Sequence, residues 1–366
     1  MMADTINSGQ PENQQKVDVE EQKENVVEAA DEAVKPLDVD LDTSDIDVDR
    51  EDLVLETRHL NKNYGKLHAV NDLNLRVPRG SIYGFVGPNG AGKTSTMRIL
   101  TTLMLPSSGQ AYVNSFSVLD EPRDVRRSIG YMPDFFGVYD DMKVWEYLDF
   151  FAACYEIPDS ERPGLINDLL ELVDLKHRRD DMVDKLSRGM KQRLCLARTL
   201  AHDPQVLILD EPASGLDPRA RIEIRSLLVE LAKMGKTIFF SSHILADVSE
   251  ICTDIGIIEA GQMVMQGPID QMRRQIMPHR QIVITLLDEV EKAKEALMTV
   301  PGIEEIVDME PDGGKPRLQV NFSGEDSGIS DLLAALTARG IRVMNFAEQT
   351  HDLETVFMKA TRGIVS

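Results

Sequence analysis

Aromatic residues, cysteines and long apolar runs are all scarce in this chain of 366 residues. Phe, Trp and Tyr together make up 5% of it, with a single Trp. The three cysteines, Cys154, Cys195 and Cys252, are scattered and odd in number. That excludes a disulfide framework or a paired-thiol metal site and predicts small core residues in a reducing compartment. No run approaches the roughly 20 apolar residues of a membrane span, and the polar N-terminus lacks the apolar core of a secretory signal. Positive charge is also short: 40 Lys and Arg face 62 Asp and Glu, a net charge of −22. Such a balance argues against nucleic acid as a partner. The acidity is uneven, because residues 1–50 hold 15 Asp or Glu against 4 Lys or Arg and contain no aromatic residue. This segment is expected to be a disordered acidic extension. Within it, residues 38–49 (DVDLDTSDIDVD) alternate acidic and aliphatic residues. A strand or short docking motif would share that pattern, but composition favours a solvated tail.

What the chain does contain is concentrated around residues 81–96, SIYGFVGPNGAGKTST. Ser81 to Val86 reads as a buried strand. Gly87, Pro88, Asn89, Gly90, Ala91, Gly92, Lys93 and Thr94 then fit the phosphate-binding pattern G-x-x-x-x-G-K-[ST] without a mismatch. Glycines let the backbone curl until several N–H groups point at one phosphate chain. The helix that follows adds the positive end of its dipole. In this pattern Lys93 reaches the β- and γ-phosphates and the Thr94 hydroxyl holds Mg²⁺, with Ser95 beside it on the first turn. A plain glycine-rich turn before a helix is the alternative, and the flanking strand and helix argue against it.

Folded structure is expected from about Asp52, where LVLETRHLNKNY alternates like a half-buried strand. Tyr64 closes it, either as an ordinary strand aromatic or as a ring on which adenine stacks. After the phosphate loop and its helix comes a turn-rich region and then Ser128-Ile129-Gly130-Tyr131-Met132-Pro133-Asp134. Residues 143–173 read as two helices forming a small helical subdomain. Leu186-Ser187-Arg188-Gly189-Met190-Lys191-Gln192-Arg193 opens a further helix with Ser187 at the N-cap. Gln205 to Glu211 (QVLILDE) is an aliphatic strand ending in two carboxylates. Asp210 is suited to orient Mg²⁺, and Glu211 to accept a proton from an attacking water. Ser214-Gly215-Leu216-Asp217 is a tight loop. A second buried strand, Thr237 to Phe240, ends in Ser241-Ser242-His243. A lone His is usually structural or solvated, but one ending a core strand that follows the carboxylate strand, as His243 does, is expected to face the γ-phosphate.

Taken in order, the phosphate loop, LSRGMKQR, LILDEP, SGLD and SSH resemble the nucleotide-binding subunit of an ABC transporter over about residues 52–270. The resemblance implies an α/β P-loop NTPase of the ABC type with a helical subdomain, spanning 51–270. It implies two such domains facing head to tail, as a homodimer or a heterodimer. ATP would be held between Lys93 and Thr94 of one chain and Ser187 and Gly189 of the other. Tyr64 would stack on adenine, Glu211 act as general base, His243 contact the γ-phosphate and Asp217 communicate between sites. Two departures stand out. Arg188 and Met190 replace a Gly and the Gln of the usual LSGGQ, and Asp134 replaces a Gln that normally touches the metal, where a carboxylate can still bind Mg²⁺ through water. Residues 271–366 read strand, helix, strand, strand, helix, strand, a ferredoxin-like order closed by a helix at 352–361. This smaller α+β domain resembles the C-terminal domain of ATPase subunits in simple bacterial exporters, with Leu353, Glu354, Val356 and Phe357 matching their ends. Together these imply an ATP hydrolase using Mg²⁺, peripheral on the cytoplasmic face of the membrane and driving separately encoded permease subunits. A soluble ABC ATPase switching a non-membrane assembly is the rival; its relatives more often carry two ATPase domains in one chain.

Overall fold

Aliphatic, β-branched and aromatic residues dominate the most buried strand segments, such as IYGFV and VLIL. The computed structural model describes residues 52–135, 137, 139, 141–276 and 280–349, apart from the side chains of 273–276. The expectations for residues 1–50 and for the helix at 352–361 lie outside the described residues. β1 (Leu53–Tyr64) pairs antiparallel with β2 (Leu67–Leu73) and with the short β3 (Arg76–Pro78). β4 (Ile82–Val86) is buried at every position and leads into α1 (Lys93–Leu100). β5 (Ser108–Val113) returns to β1 and forms a hairpin with β6 (Phe116–Ser117). Asn114 and Ser115, at φ 49° and 71°, make the two-residue turn between them, whose handedness matches the twist of the strands. α2 (Pro122–Ser128) then enters β7 (Ile129–Met132). The region after α1 is therefore not merely turns: it completes a five-stranded antiparallel sheet. Its strands are short and interrupted by left-handed residues, which hides their alternation.

α3 (Val144–Cys154) and α4 (Arg162–Leu172) are the two expected helices, and both pack against α5 (Arg188–Leu200). The Arg198 guanidinium lies 4.9 Å from the Phe151 ring centroid and donates to the Tyr147 hydroxyl at 3.2 Å, tying α5 to α3. Burial pushes that Tyr147 hydroxyl up to about 12. Cys195 is buried in α5, whereas Cys154 is exposed at the end of α3, contrary to its expected place in the core.

β8 (Val206–Leu209), α6 (Pro218–Lys233), β9 (Thr237–Ser242), α7 (Leu245–Ile251), β10 (Asp254–Glu259) and β11 (Gln262–Pro268) complete the second sheet, and α8 (Ile269–Ile276) follows. Its order is β11-β10-β4-β9-β8-β7, parallel throughout except for β11. β4, β8, β9 and β10 are buried on both faces, as near-continuous aliphatic strands of a parallel sheet must be. Parallel pairing has a direct consequence for function. Val86 lies beside Ser242, Phe240 beside Leu209 and Leu209 beside Met132, so the residues following β4, β9, β8 and β7 emerge at one edge.

The C-terminal part runs β12 (Arg280–Leu286), α9 (Val290–Leu297), β13 (Ile303–Asp312), β14 (Lys315–Phe322), α10 (Asp326–Ala338) and β15 (Val343–Gln349). Its sheet order, β13-β14-β12-β15, is antiparallel throughout and has the ferredoxin-like arrangement. Ile282, Ile284, Leu318, Val320 and Phe322 alternate along two strands to meet Ala293, Leu297, Leu332 and Leu336 of the helices in one core.

Candidate functional site

The phosphate loop connects β4 to α1, whose N-cap is Gly92 at φ 105°. A Cβ on Gly92 would stand 2.3 Å from the Ala69 carbonyl oxygen, and one on Gly87 2.3 Å from that of Ile258. Two of the loop's glycines are thus required by the backbones of β2 and β10, quite apart from any ligand. Gly90 also takes a left-handed conformation, at φ 84°. Pro88 and Asn89 lie between Gly87 and Gly90, and Ala91 is buried behind them. Lys93 is 6% exposed, and its Nζ donates to the Gly87 and Pro88 carbonyls at 2.6 and 3.1 Å. Burial holds its pKa below the ordinary lysine value, opposed by Glu211 and Asp210. The loop therefore carries an ammonium folded back over its own carbonyls. Phosphate oxygens would give it better partners than those neutral acceptors.

Thr94 and Ser95 are half-buried on the first turn of α1. Ser95 Oγ lies 3.5 Å from the Tyr64 hydroxyl, which donates to Met104 Sδ at 2.9 Å. Tyr64 is 45% exposed, and Lys62 Nζ sits 5.3 Å from its ring centroid. So the end of β1 brings an accessible aromatic ring beside the phosphate-loop helix.

Asp210 and Glu211 directly follow β8. Asp210 is 1% exposed; its N–H donates to the Met132 carbonyl at 2.8 Å, and its Oδ1 accepts from the Ser241 hydroxyl at 2.7 Å. Glu211 turns left-handed, at φ 51°. One carboxylate oxygen then lies 3.8 Å from Lys93 Nζ, and the other 2.8 Å from His243 Nδ1. A carboxylate only accepts, so the ring nitrogen facing it carries the proton. Asp134 follows β7 through Pro133 and is exposed. Burial raises the Tyr131 pKa, with Asp210 and Asp134 adding to the shift and Arg98 opposing it.

The remaining candidates gather elsewhere. Ser187 caps α5, its Oγ accepting from the Met190 N–H at 3.3 Å, and Asp217 caps α6, its Oδ1 accepting from the Ala220 N–H at 3.0 Å. With Arg188, Gly189 and Gly215 they line a surface depression of their own. Arg188 Nη2 donates to the Ser214 carbonyl at 3.3 Å and lies across Gly215, where any side chain would collide with the guanidinium. Gly189 meets Ala220, to which an added Cβ would come within 3.1 Å. Gln192 donates to the Pro212 carbonyl, so α5 is tied to the stretch that runs from Glu211 to Asp217.

The family profile described as ABC transporter matches residues 70–214. The bacitracin transport ATP-binding protein of Bacillus licheniformis is 40% identical over 222 residues, covering 60% of this chain and 72% of that protein. This chain belongs to the ABC transporter ATP-binding proteins. An uncharacterized ABC transporter ATP-binding protein of Bacillus subtilis is 32% identical over 310 residues, 85% of this chain and all of that one. The Nod factor export ATP-binding protein I of Cupriavidus pinatubonensis is 37% identical over 224 residues, covering 61% of this chain and 69% of that protein. Among solved structures, an ATP-binding subunit of an ABC transporter is 30% identical, covers 61% of this chain and 92% of its own, and superposes with a TM-score of 0.55. The ABC ATPase is accordingly an ATP-binding enzyme of the ATP hydrolase class.

The residues at the strand edge also suit a magnesium ion. The Thr94 hydroxyl and the Asp210 carboxylate are hard oxygen donors, the type this ion takes alongside substrate phosphates. Among the described residues no three His, Cys, Asp or Glu converge as a cage of their own. One functional candidate escaped the motif reading: Ser241, which touches both Asp210 and Glu211. The signal was its place in β9, level with the first residue after the carboxylate strand.

Proposed function

We propose that this ABC ATPase is the energy-coupling subunit of an exporter, hydrolysing Mg·ATP between two copies of the cassette to drive separately encoded permease subunits. The observation that carries the reading is Glu211, held between Lys93 and His243 at the open edge of the parallel sheet. Lys93 and the loop amides bind the phosphates, Tyr64 offers its ring to adenine, and Thr94 and Asp210 would hold the metal, with the Asp134 carboxylate reaching it through water. Bound magnesium neutralises charge on the phosphate oxygens. Glu211 accepts the proton of the water that attacks the γ-phosphorus, the bond to the β,γ-bridging oxygen breaks, and ADP and phosphate leave. His243 orients Glu211 and, once a nucleotide is present, contacts the γ-phosphate. Ser187 and Gly189 cap the nucleotide of the facing copy, and Asp217, six residues beyond Glu211, links the two sites.

The export assignment draws on the exporter-type C-terminal unit and on relatives named for bacitracin transport and Nod factor export. No helix among the described residues is long and apolar enough to cross a membrane, and the proposal places the spans in the permease. Tyr139 and Phe150, whose ring centroids lie 5.6 Å apart, are 54% and 42% exposed, a pair suited to an apolar partner surface on the cytoplasmic face. The C-terminal unit, on this reading, braces the dimer.

Glu211→Gln tests the proposal. ATP binding should persist while hydrolysis slows by roughly 10²–10⁴, the loss expected for a general base. Near-normal turnover in that variant removes Glu211 from the role.

A further inference from the structure

Ser241 is completely buried in β9, between Thr-Ile-Phe-Phe and the final Ser242. Its hydroxyl donates to Asp210 Oδ1 at 2.7 Å and accepts from the Glu211 N–H at 2.9 Å. A serine hydroxyl has one proton to give, and here it goes to a carboxylate already 1% exposed. The register explains the contact: Phe240 pairs with Leu209, so Ser241 stands level with Asp210, the residue that follows β8. Most side-chain hydrogen bonds go to backbone or water rather than to another side chain. This hydroxyl instead joins the side chain of one functional residue to the main chain of the next.

The accepted bond matters for a second reason. Glu211 adopts φ 51°, a conformation that side chains with a Cβ avoid. That left-handed step directs its carboxylate to Lys93 and His243 rather than along the strand. The amide that Ser241 holds belongs to the very residue that makes the step.

We infer that Ser241 is a positioning residue for ATP hydrolysis: its single hydroxyl fixes the Asp210 carboxylate as metal ligand and locks the left-handed turn that aims Glu211. The inference rests on the roles given above to Asp210 and Glu211. Ser241 acts through them and touches no substrate.

The test compares Ser241→Ala, Ser241→Thr and Glu211→Gln in the full chain. Three readouts are taken: steady-state hydrolysis, equilibrium binding of a fluorescent ATP analogue titrated with Mg²⁺, and thermal unfolding without nucleotide. Ser241→Ala should lower kcat by about 10–100-fold, the usual effect of removing a partner that orients a metal ligand. Its KM for ATP should stay within about threefold, because the phosphate loop and Tyr64 are untouched. The Mg²⁺ concentration needed for half-maximal analogue binding should rise. Ser241→Thr, which keeps the hydroxyl, should recover both kcat and the Mg²⁺ dependence. Wild-type kcat and Mg²⁺ dependence in Ser241→Ala, alongside an inactive Glu211→Gln, would overturn the role of Ser241 and leave the site reading standing. A lowered unfolding temperature with unchanged kcat and Mg²⁺ dependence would also overturn it, by showing a purely structural hydroxyl. Normal hydrolysis by Glu211→Gln would instead break the underlying reading.

Discussion

Gly92 and Gly324 both sit where one added methyl group would collide, yet their neighbours differ in kind. At Gly92 a Cβ would stand 2.3 Å from the Ala69 backbone oxygen, and the residue is held at φ 105°. At Gly324 it would stand 2.2 Å from Cζ of Phe322, the tip of a side chain. Gly302 and Gly328 crowd the same ring, at 3.1 and 2.5 Å. In the ATPase part glycine lets main chain approach main chain, so that the phosphate loop can curl against β2 and β10. In the C-terminal part it makes room for one aromatic ring in a small core. The first use is intolerant because neither oxygen nor backbone can step aside. The second has some give, since a ring can shift and neighbours can repack.

The same substitution in the two places sharpens that contrast. Gly92→Ala should have the larger effect. Left-handed backbone costs an ordinary residue about 1–2 kcal/mol before the collision with Ala69 is counted. The loop must open to relieve both, so binding of Mg·ATP should weaken by at least about tenfold, or 1.4 kcal/mol. Calorimetric titration would measure it, and unchanged affinity would break the comparison. Gly324→Ala should cost about 1–3 kcal/mol of stability by overpacking around Phe322. ATP affinity and turnover per folded molecule should not change. A denaturation curve paired with an ATPase assay checks this, and a loss of turnover without loss of stability would give the C-terminal unit a part in the chemistry.

The gathering of Lys93, Glu211 and His243 was legible because these candidates follow strand ends. The G-x-x-x-x-G-K-T loop, the carboxylates after β8 and the histidine after β9 are local patterns, and parallel pairing alone brings them to one edge. The helices α3 and α4 were legible for a similar reason, long apolar segments with Pro158 between them and Pro163 in the first turn of α4. The antiparallel sheet was not. β3 spans three residues and β6 two, too few for a period to show. Ser241 was illegible because its meaning lies in Asp210, 31 residues away. Nothing in Ser241-Ser242-His243 says that the first serine faces a carboxylate. Phe322 and its glycines were hidden likewise, since Gly302 meets the ring only once β13 and β14 have folded together. In the C-terminal unit the element order was readable and the packing was not.

The central claim is that one chain carries two halves of different active sites: the phosphate-loop half around Lys93 and Glu211, and the capping half around Ser187, Gly189 and Asp217. Mixing two single variants tests it most directly. Lys93→Ala removes the phosphate-binding ammonium, and Ser187→Arg blocks the capping surface, so each variant alone should be inactive. In a mixed dimer one site collects both defects, and the other pairs an intact loop with an intact cap. The account predicts that mixing restores hydrolysis and that the recovered rate rises with protein concentration, because dimers must assemble by mass action. Full activity of Ser187→Arg by itself, independent of concentration, would contradict it.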